Sequence, residues 1–485
     1  MLTAVLTAIP AATGDPIVPT TQLDVGVLLG IAAAGIALLL FLIIWLKIQA
    51  FVALLIVSIL VALSAQLSLT DVFTVVATGV GSTMGKVALL IALGAILGRI
   101  IEVSGGVQSL ADHFTSLLGP RRVAVALTIV GFLVAIPVFF EVGVIVLVPI
   151  VYAFSKAAGL HPIKFGLPMA GIMLAIHVSV PPHPGIVAGA GVFGADIGLV
   201  TMISLLVCIP LGFLSYAVAR IMNRRDYELI PSVAAQLEEF GSSSTIIESR
   251  RGGVVVAPPR AGTISIIIAL PIVQILIGTV GALVLPEGSF GQQLAVFIGS
   301  PVLALLVAVL VGYGVLGLRR GWSLDQGNGV FEGALPSIAS ILLVVAAGGV
   351  FGEVLRATGI GAALSTALDQ LGLPLIVLAF VITLALRAAQ GSATVAIVTT
   401  ASLLSSAVVE GGYTPLQIAI LTVAVGFGSL GLSMVTDAGF WTVVRYYGLT
   451  VADGLRTWTV LTTILGVAGF LLCYAAWTVV SAAGL

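Results

Sequence analysis

Two acids stand in otherwise apolar sequence, each beside a glycine that interrupts the run. Glu141 lies in Phe139-Phe140-Glu141-Val142-Gly143 and Asp437 in Thr436-Asp437-Ala438-Gly439. A carboxylate inside hydrocarbon is costly, and such residues mark substrate paths and proton relays. Glu141, with apolar neighbours over many positions, is the natural proton carrier, and Asp437 is the next candidate. The competing structural readings are a loop acid for Glu141 and an ion pair with Arg387 or Arg445 for Asp437.

Two further breaks carry polar groups. Pro181-Pro182-His183-Pro184-Gly185 interrupts an apolar stretch that begins before Ile176, and Gln390-Gly391-Ser392-Ala393-Thr394 interrupts another. Proline removes a backbone donor and glycine lets backbones approach closely. A break inside lipid leaves polar backbone groups that protein, water or ligand must satisfy. Helices restarting after such breaks present free amides and a positive dipole end, which suits a carboxylate. The substrate-binding candidates are therefore Gly143, His183, Gly185, Gln390, Gly391, Ser392, Thr394, Thr436 and Gly439. His177 reads as a structural histidine, and His113 and His161 read as surface residues. Phe440 and Trp441 read as packing or interfacial aromatics.

Composition says what must hold these breaks. Of 485 residues, 60% are hydrophobic and only 8% charged, with a mean hydropathy of +1.26. Soluble proteins carry about 25% charged residues, so the chain is expected to be an all-α polytopic membrane protein. Apolar runs fill 25–219 and 263–482, enough for about 10–14 transmembrane segments. The net charge of −1 gives no reason to expect a nucleic-acid partner. Cys208 and Cys473 sit in apolar runs with neither disulfide nor metal spacing. No metal and no cofactor is expected.

Lysine and arginine belong on the cytoplasmic side. Lys47, Arg121, Arg122, Lys156, Lys164, Arg319, Arg320, Arg445 and Arg456 fit one alternating path. That path places 1–24 outside as a tail, 25–219 as a first membrane repeat, 220–262 as a flexible cytoplasmic linker and 263–485 as a second repeat. The halves echo each other. Leu97-Gly98-Arg99 to Gly105 corresponds to Phe351-Gly352-Glu353 to Gly359, and each is followed by an amphipathic stretch. The Glu141 break corresponds to the Gln390 break, and His183-Pro184-Gly185 to Asp437-Ala438-Gly439. An odd number of crossings per half gives the halves opposite orientation. This is the inverted-repeat pattern of secondary transporters, with two helical hairpins, broken helices and a site near the midplane. Arg99 with Glu102, and Glu353 with Arg356, have i,i+3 spacing for ion pairs.

These four ordered motifs resemble the GntP family of bacterial gluconate:proton symporters. The resemblance spans residues 80 to 450 and rests on Phe139 to Gly143, His177 to Gly185, Ala389 to Thr394 and Asp437 to Trp441. It implies proton-coupled uptake of gluconate or related sugar acids across the bacterial inner membrane. It also implies a fold like that of the wider ion-transporter superfamily, with a scaffold part, a moving transport part and commonly a homodimer. The gluconate-type motif reads Ser-His-Val-Asn-Asp where this chain has Ser433-Met434-Val435-Thr436-Asp437. That departure turns attention to smaller or differently hydroxylated acids such as glycerate.

The reading is thus a symporter for a small hydroxylated carboxylate, coupled to protons, with sodium coupling as the alternative. An intramembrane enzyme is disfavoured because the histidine spacing is wrong for His-Glu-x-x-His and no nucleophile constellation stands out. A channel would need symmetry-related rings of one motif, and these breaks differ in residue type.

Overall fold

A computed structural model describes residues 23–239, 258–371 and 373–484. Most of the expected external tail and the central part of the linker lie outside the described residues. The first half comprises α1 (Val25–Ile44), α2 (Ala50–Ser64), α3 (Leu69–Val103), α4 (Gly106–Leu118), α5 (Val123–Ala135), α6 (Phe140–Ala158), α7 (Ile163–Ser179), α8 (Pro184–Phe193) and α9 (Ile197–Met222). A short α10 (Pro231–Glu239) follows. Then come α11 (Ala261–Val284), α12 (Phe290–Ile298), α13 (Pro301–Gly312), α14 (Leu324–Glu332) and α15 (Leu335–Ala357). The chain closes with α16 (Ile360–Leu371), α17 (Leu375–Gln390), α18 (Ala393–Glu410), α19 (Pro415–Gly428), α20 (Ala438–Tyr446), α21 (Val451–Gly454) and α22 (Val460–Ala483). Among the described residues there is no strand, and ten helical stretches are long and apolar enough to cross a membrane.

Helix length explains the breaks. α5 has 13 residues and α19 has 14. At about 1.5 Å per residue each spans about 20 Å, short of a hydrocarbon core of about 30 Å. Each therefore stops within an apolar layer and hands over to another helix. The same order occurs twice: a long helix, a left-handed glycine (Gly105 φ 77°, Gly359 φ 73°), an amphipathic helix, then a short helix, a break and a longer one.

Burial sorts inner from outer helices. In the most apolar window of Ile163–Phe193, 89% of residues are buried, against 22% in α1. The innermost layer is α7, α8, α18 and α19, where α8 packs on α18 and α7 on α5 and α9. α3 seats both breaks of the first half. A Cβ on Gly98 would lie 2.1 Å from the Pro137 carbonyl oxygen, and one on Gly94 would lie 2.7 Å from the Pro182 ring. Only hydrogen at these two positions lets the long helix touch the broken ones, the close-approach use of small residues in membrane packing.

The expected side-chain pairs form. Arg99 meets Glu102 at 2.7 Å, and Arg356 bonds Glu353. Lys86 reaches the Gly191 carbonyl at 3.4 Å. Two expectations change. The start of the linker is docked rather than free: Ile230 N–H donates to Gly448 O at 3.1 Å and Val233 is buried. His161 is buried, not superficial, because it packs edge-on against Tyr227 and its Nδ1 accepts from Ile163 N–H.

Burial, helped by the Lys164 charge, lowers the His161 pKa to about 4. The unfolded chain takes up this proton near pH 6.5 and the folded chain resists until about pH 4. Stability should therefore fall as pH drops through this window. Thermal unfolding of His161→Gln should show a shallower loss between these pH values than the parent. For Gly98→Val, overpacking against the Pro137 backbone should cost about 1–3 kcal/mol, read as a lower unfolding midpoint in detergent.

Candidate functional site

Three broken segments meet around one cavity of about 490 Å³. That is within the range of small-molecule pockets, roughly 300–1,000 Å³. Glu141 and Val142 enter it from the first turn of α6, Ser392, Thr394 and Val395 from the start of α18, and Asp437 to Gly439 from the start of α20. Phe139, Leu174, His177 and Arg387 complete the inner wall, and Gln49 to Phe51 with Ser340 and Val344 form another side.

Each of these three helices starts at the cavity for a local reason. Phe139 precedes α6 in an extended conformation (φ −58°, ψ 145°), so the amides of its first turn have no upstream carbonyl. Ser392 caps α18 by accepting from Val395 N–H at 3.3 Å. Asp437 caps α20 by accepting from Gly439 N–H at 3.0 Å. Three positive helix ends thus converge, a preformed field for an anion.

The cavity wall is organised by a buried ion pair. Arg387 and Asp437 side chains are 2% and 8% exposed, and an Arg387 terminal nitrogen bonds Asp437 Oδ2. The other terminal nitrogen donates to the Gly391 carbonyl, while Nε is buried with no partner. One guanidinium thereby clamps the break before α18 to the break before α20. Asp437 Oδ2 also accepts from Ser433 Oγ, which in turn accepts from Trp458 Nε1 at 2.7 Å. Phe140 stacks on Trp458 with centroids 5.6 Å apart, and Tyr152 donates to Tyr446 O at 2.6 Å. These contacts tie α20 to α6. Of the two partners considered for Asp437, the structure selects Arg387. Arg445 instead lies 5.5 Å over the Trp441 ring.

The sequence candidates separate into two groups. Glu141, Gly391, Ser392, Thr394, Asp437 and Gly439 line the cavity together. Gly143 does not; it faces Met173, where a Cβ would come within 2.4 Å of the terminal methyl. Gly185 sits behind the cavity and lets α8 lie against Thr394, its would-be Cβ 3.2 Å from Thr394 Cα. His183 is also behind it, with Nε2 on the Ala135 carbonyl, an orphan acceptor at the end of α5. Gln390 ends α17 outside the lining, its Nε2 buried and unpartnered. Thr436 is exposed and donates to Ala388 O at 3.4 Å, while Met434 is half-buried; neither lines the cavity. The motif departure from gluconate-type members therefore falls beside the cavity, not on its wall.

Two cavity residues with ionisable side chains were not among the sequence candidates. His177, read as structural, lines the cavity, with its Nδ1 buried and unpartnered and its ring 4.4 Å from that of His183. Arg387 was seen only as a possible partner of Asp437. The available signal was an arginine within the apolar run ahead of the Gln390 break, at a depth where a charge needs a use.

Broken helices converging on a cavity inside a multi-pass helical bundle are an arrangement that membrane transporters use. The model of the GntP family permeases matches residues 27–480, and this chain belongs to that family. It is similar to the inner membrane permease YgbN of Escherichia coli, 48% identical over 93% of this chain and 99% of the relative. The high-affinity gluconate transporter of Escherichia coli is 32% identical over 78% of this chain and 83% of its own. The L-idonate transporter of the same organism is 31% identical over 91% and 97%. Among solved structures, MtrF of Neisseria gonorrhoeae matches in fold with a TM-score of 0.63 at 14% identity, covering 87% of this chain and 93% of that one. The YdaH transporter of Alcanivorax borkumensis matches with a TM-score of 0.58 at 17% identity, covering 90% and 98%.

Ser433→Ala removes the hydroxyl that Asp437 and Trp458 share. With both left short of a partner in a buried site, stability should fall by about 1–3 kcal/mol. The drop is checked by thermal unfolding, with a shift in tryptophan emission marking the loss of the Trp458 bond.

Proposed function

We propose that this permease is a secondary active transporter that takes up a small hydroxylated monocarboxylate, gluconate or a related sugar acid, together with protons. One observation carries the reading: the charge balance of the cavity. Its lining holds Glu141, Asp437 and Arg387, a formal −1 with His177 counted as neutral. A monocarboxylate entering alone would bring it to −2 in a poorly solvated place. An uncompensated buried charge costs on the order of several kcal/mol. One proton entering with the anion restores the original balance, so Glu141 and Asp437 are the two acids able to carry it. Helix ends at α6, α18 and α20 supply fixed partial positive charge for the carboxylate, and Ser392, Thr394 and His177 offer hydrogen bonds for hydroxyls.

The gluconate and idonate transporters among the relatives support the substrate class. The relative named an inner membrane permease supports placement in the bacterial inner membrane. The recurring element order supports two repeats of opposite orientation, residues 25–219 and 263–485, joined by a cytoplasmic linker. On that reading the cavity sits near the midplane, and the broken-helix part moves against the rest to expose it alternately. The family resemblance supports a homodimer.

Proteoliposomes containing the purified chain should accumulate radiolabelled gluconate or glycerate under an inward proton gradient in sodium-free buffer. Collapsing the gradient with an ionophore should leave equilibration only. Accumulation that demands sodium and ignores the proton gradient would replace proton coupling by sodium coupling.

A further inference from the structure

The charge count says that a proton must enter but not how the protein prevents anion and proton from binding independently. Symport needs a linkage in which each improves the affinity for the other. The geometry points to a single device for this: Asp437 occupies Arg387 as a built-in anion, and the substrate carboxylate takes its place while Asp437 accepts the transported proton. This inference rests on the functional reading above.

Three observations carry it. Arg387 is the only lysine or arginine on the cavity wall among the described residues. Its guanidinium is fully buried yet incompletely used, with Nε lacking a partner beside the terminal nitrogen that holds Asp437. A guanidinium edge formed by Nε and one terminal nitrogen matches a carboxylate in bidentate fashion. Asp437 spends only one oxygen on that edge, because Oδ1 is committed to the Gly439 amide. An incoming carboxylate can use both donors, and so outcompetes the resident one.

The exchange leaves Asp437 with two donors, Ser433 Oγ and Gly439 N–H. With its cation taken, Asp437 is the buried charge left without compensation, and a proton arriving from the cavity neutralises it. No covalent bond changes. The guanidinium passes from one carboxylate to the other, and the proton adds to Asp437 at Oδ2. Run in reverse, deprotonation of Asp437 recaptures Arg387 and expels the substrate. Protonation of Glu141 cannot do this, because Glu141 has no bond to Arg387 and acts on it only through space.

The other charged or titratable groups around Asp437 are few. Glu141 on α6 and His177 on α7 share the cavity with it. Arg445, on its own helix, is turned to Trp441. Asp453, on α21, is bonded to Thr450 Oγ1 at 2.6 Å, and Arg456 on the adjoining Leu455–Thr459 segment is exposed.

The test is binding of gluconate and of glycerate to the purified full-length chain, by calorimetry from pH 5.5 to 8.5. For the wild type, affinity should fall by about tenfold per pH unit on the alkaline side, the slope of one linked proton. Asp437→Asn should bind at the alkaline end as tightly as the wild type does at the acid end, with no pH slope. In proteoliposomes it should exchange substrate but not accumulate it. Glu141→Gln should change affinity through charge alone and keep the slope, and Arg387→Lys should weaken binding at every pH. The wild type gives a readout free of folding defects. Calorimetry at pH 8 in buffers of different ionisation enthalpy should count about one proton taken up per anion bound. An Asp437→Asn variant that retains the slope, or a wild-type proton count of zero, overturns the exchange while leaving the permease reading in place. A wild type that binds neither acid at any pH overturns both.

Discussion

A guanidinium held almost entirely out of water is the constraint on which the rest of this site depends. Removing one member of a buried ion pair typically costs about 3–5 kcal/mol, because the other is left uncompensated. Arg387 therefore has to find Asp437 and the Gly391 carbonyl, and both lie at interruptions of helices. The α17–α18 break and the α19–α20 break must come together for that to happen. Gly391 allows it, since a side chain there would lie 2.0 Å from the Thr436 carbonyl oxygen and its φ is +80°. The same pair fixes the start of α20, because Asp437 is at once the ion-pair partner and the helix cap.

The second constraint is the unsatisfied backbone at each break. In lipid such groups are tolerated only where protein or a cavity surrounds them. The first half meets this with α3, whose glycines admit Pro137 and Pro182, and with His183, which takes up a free carbonyl of α5. Leu432, between α19 and α20, adopts a left-handed conformation (φ 52°) that costs a non-glycine residue about 1–2 kcal/mol, and its amide is held by Thr463 Oγ1 at 3.0 Å. Strain of this kind is retained at sites where the surrounding structure over-determines it. Here it lies five residues from Asp437 of the Arg387–Asp437 clamp.

On the proposed function, a field of three helix ends with one arginine and two acids is what receives the carboxylate of the substrate. The Met434 and Thr436 positions, where this chain departs from the gluconate-type motif, lie off the cavity wall. On the same reading, the tail of the substrate meets the other cavity residues, among them Gln49, Phe51 and Ser340.

Sequence alone determined the class and picked out six of the residues that line the cavity. The scarcity of charge and the length of the apolar runs dictate a polytopic helical bundle, because lipid admits little else. Proline and glycine mark the four breaks, because their backbone chemistry is local. Glu141 and Asp437 stood out because a lone acid in hydrocarbon has few structural excuses. What the sequence could not decide was which side of each break faces the cavity. His183 was the conspicuous histidine among prolines, yet it serves the α5 carbonyl, while His177, unremarkable on an apolar helix, faces the cavity. Asp437 had two candidate partners, Arg387 and Arg445, until the breaks were brought together. Orientation of a side chain about a helix depends on the rotation imposed by its neighbours, and pairing across fifty residues depends on packing that no local pattern encodes. Tertiary structure decided both.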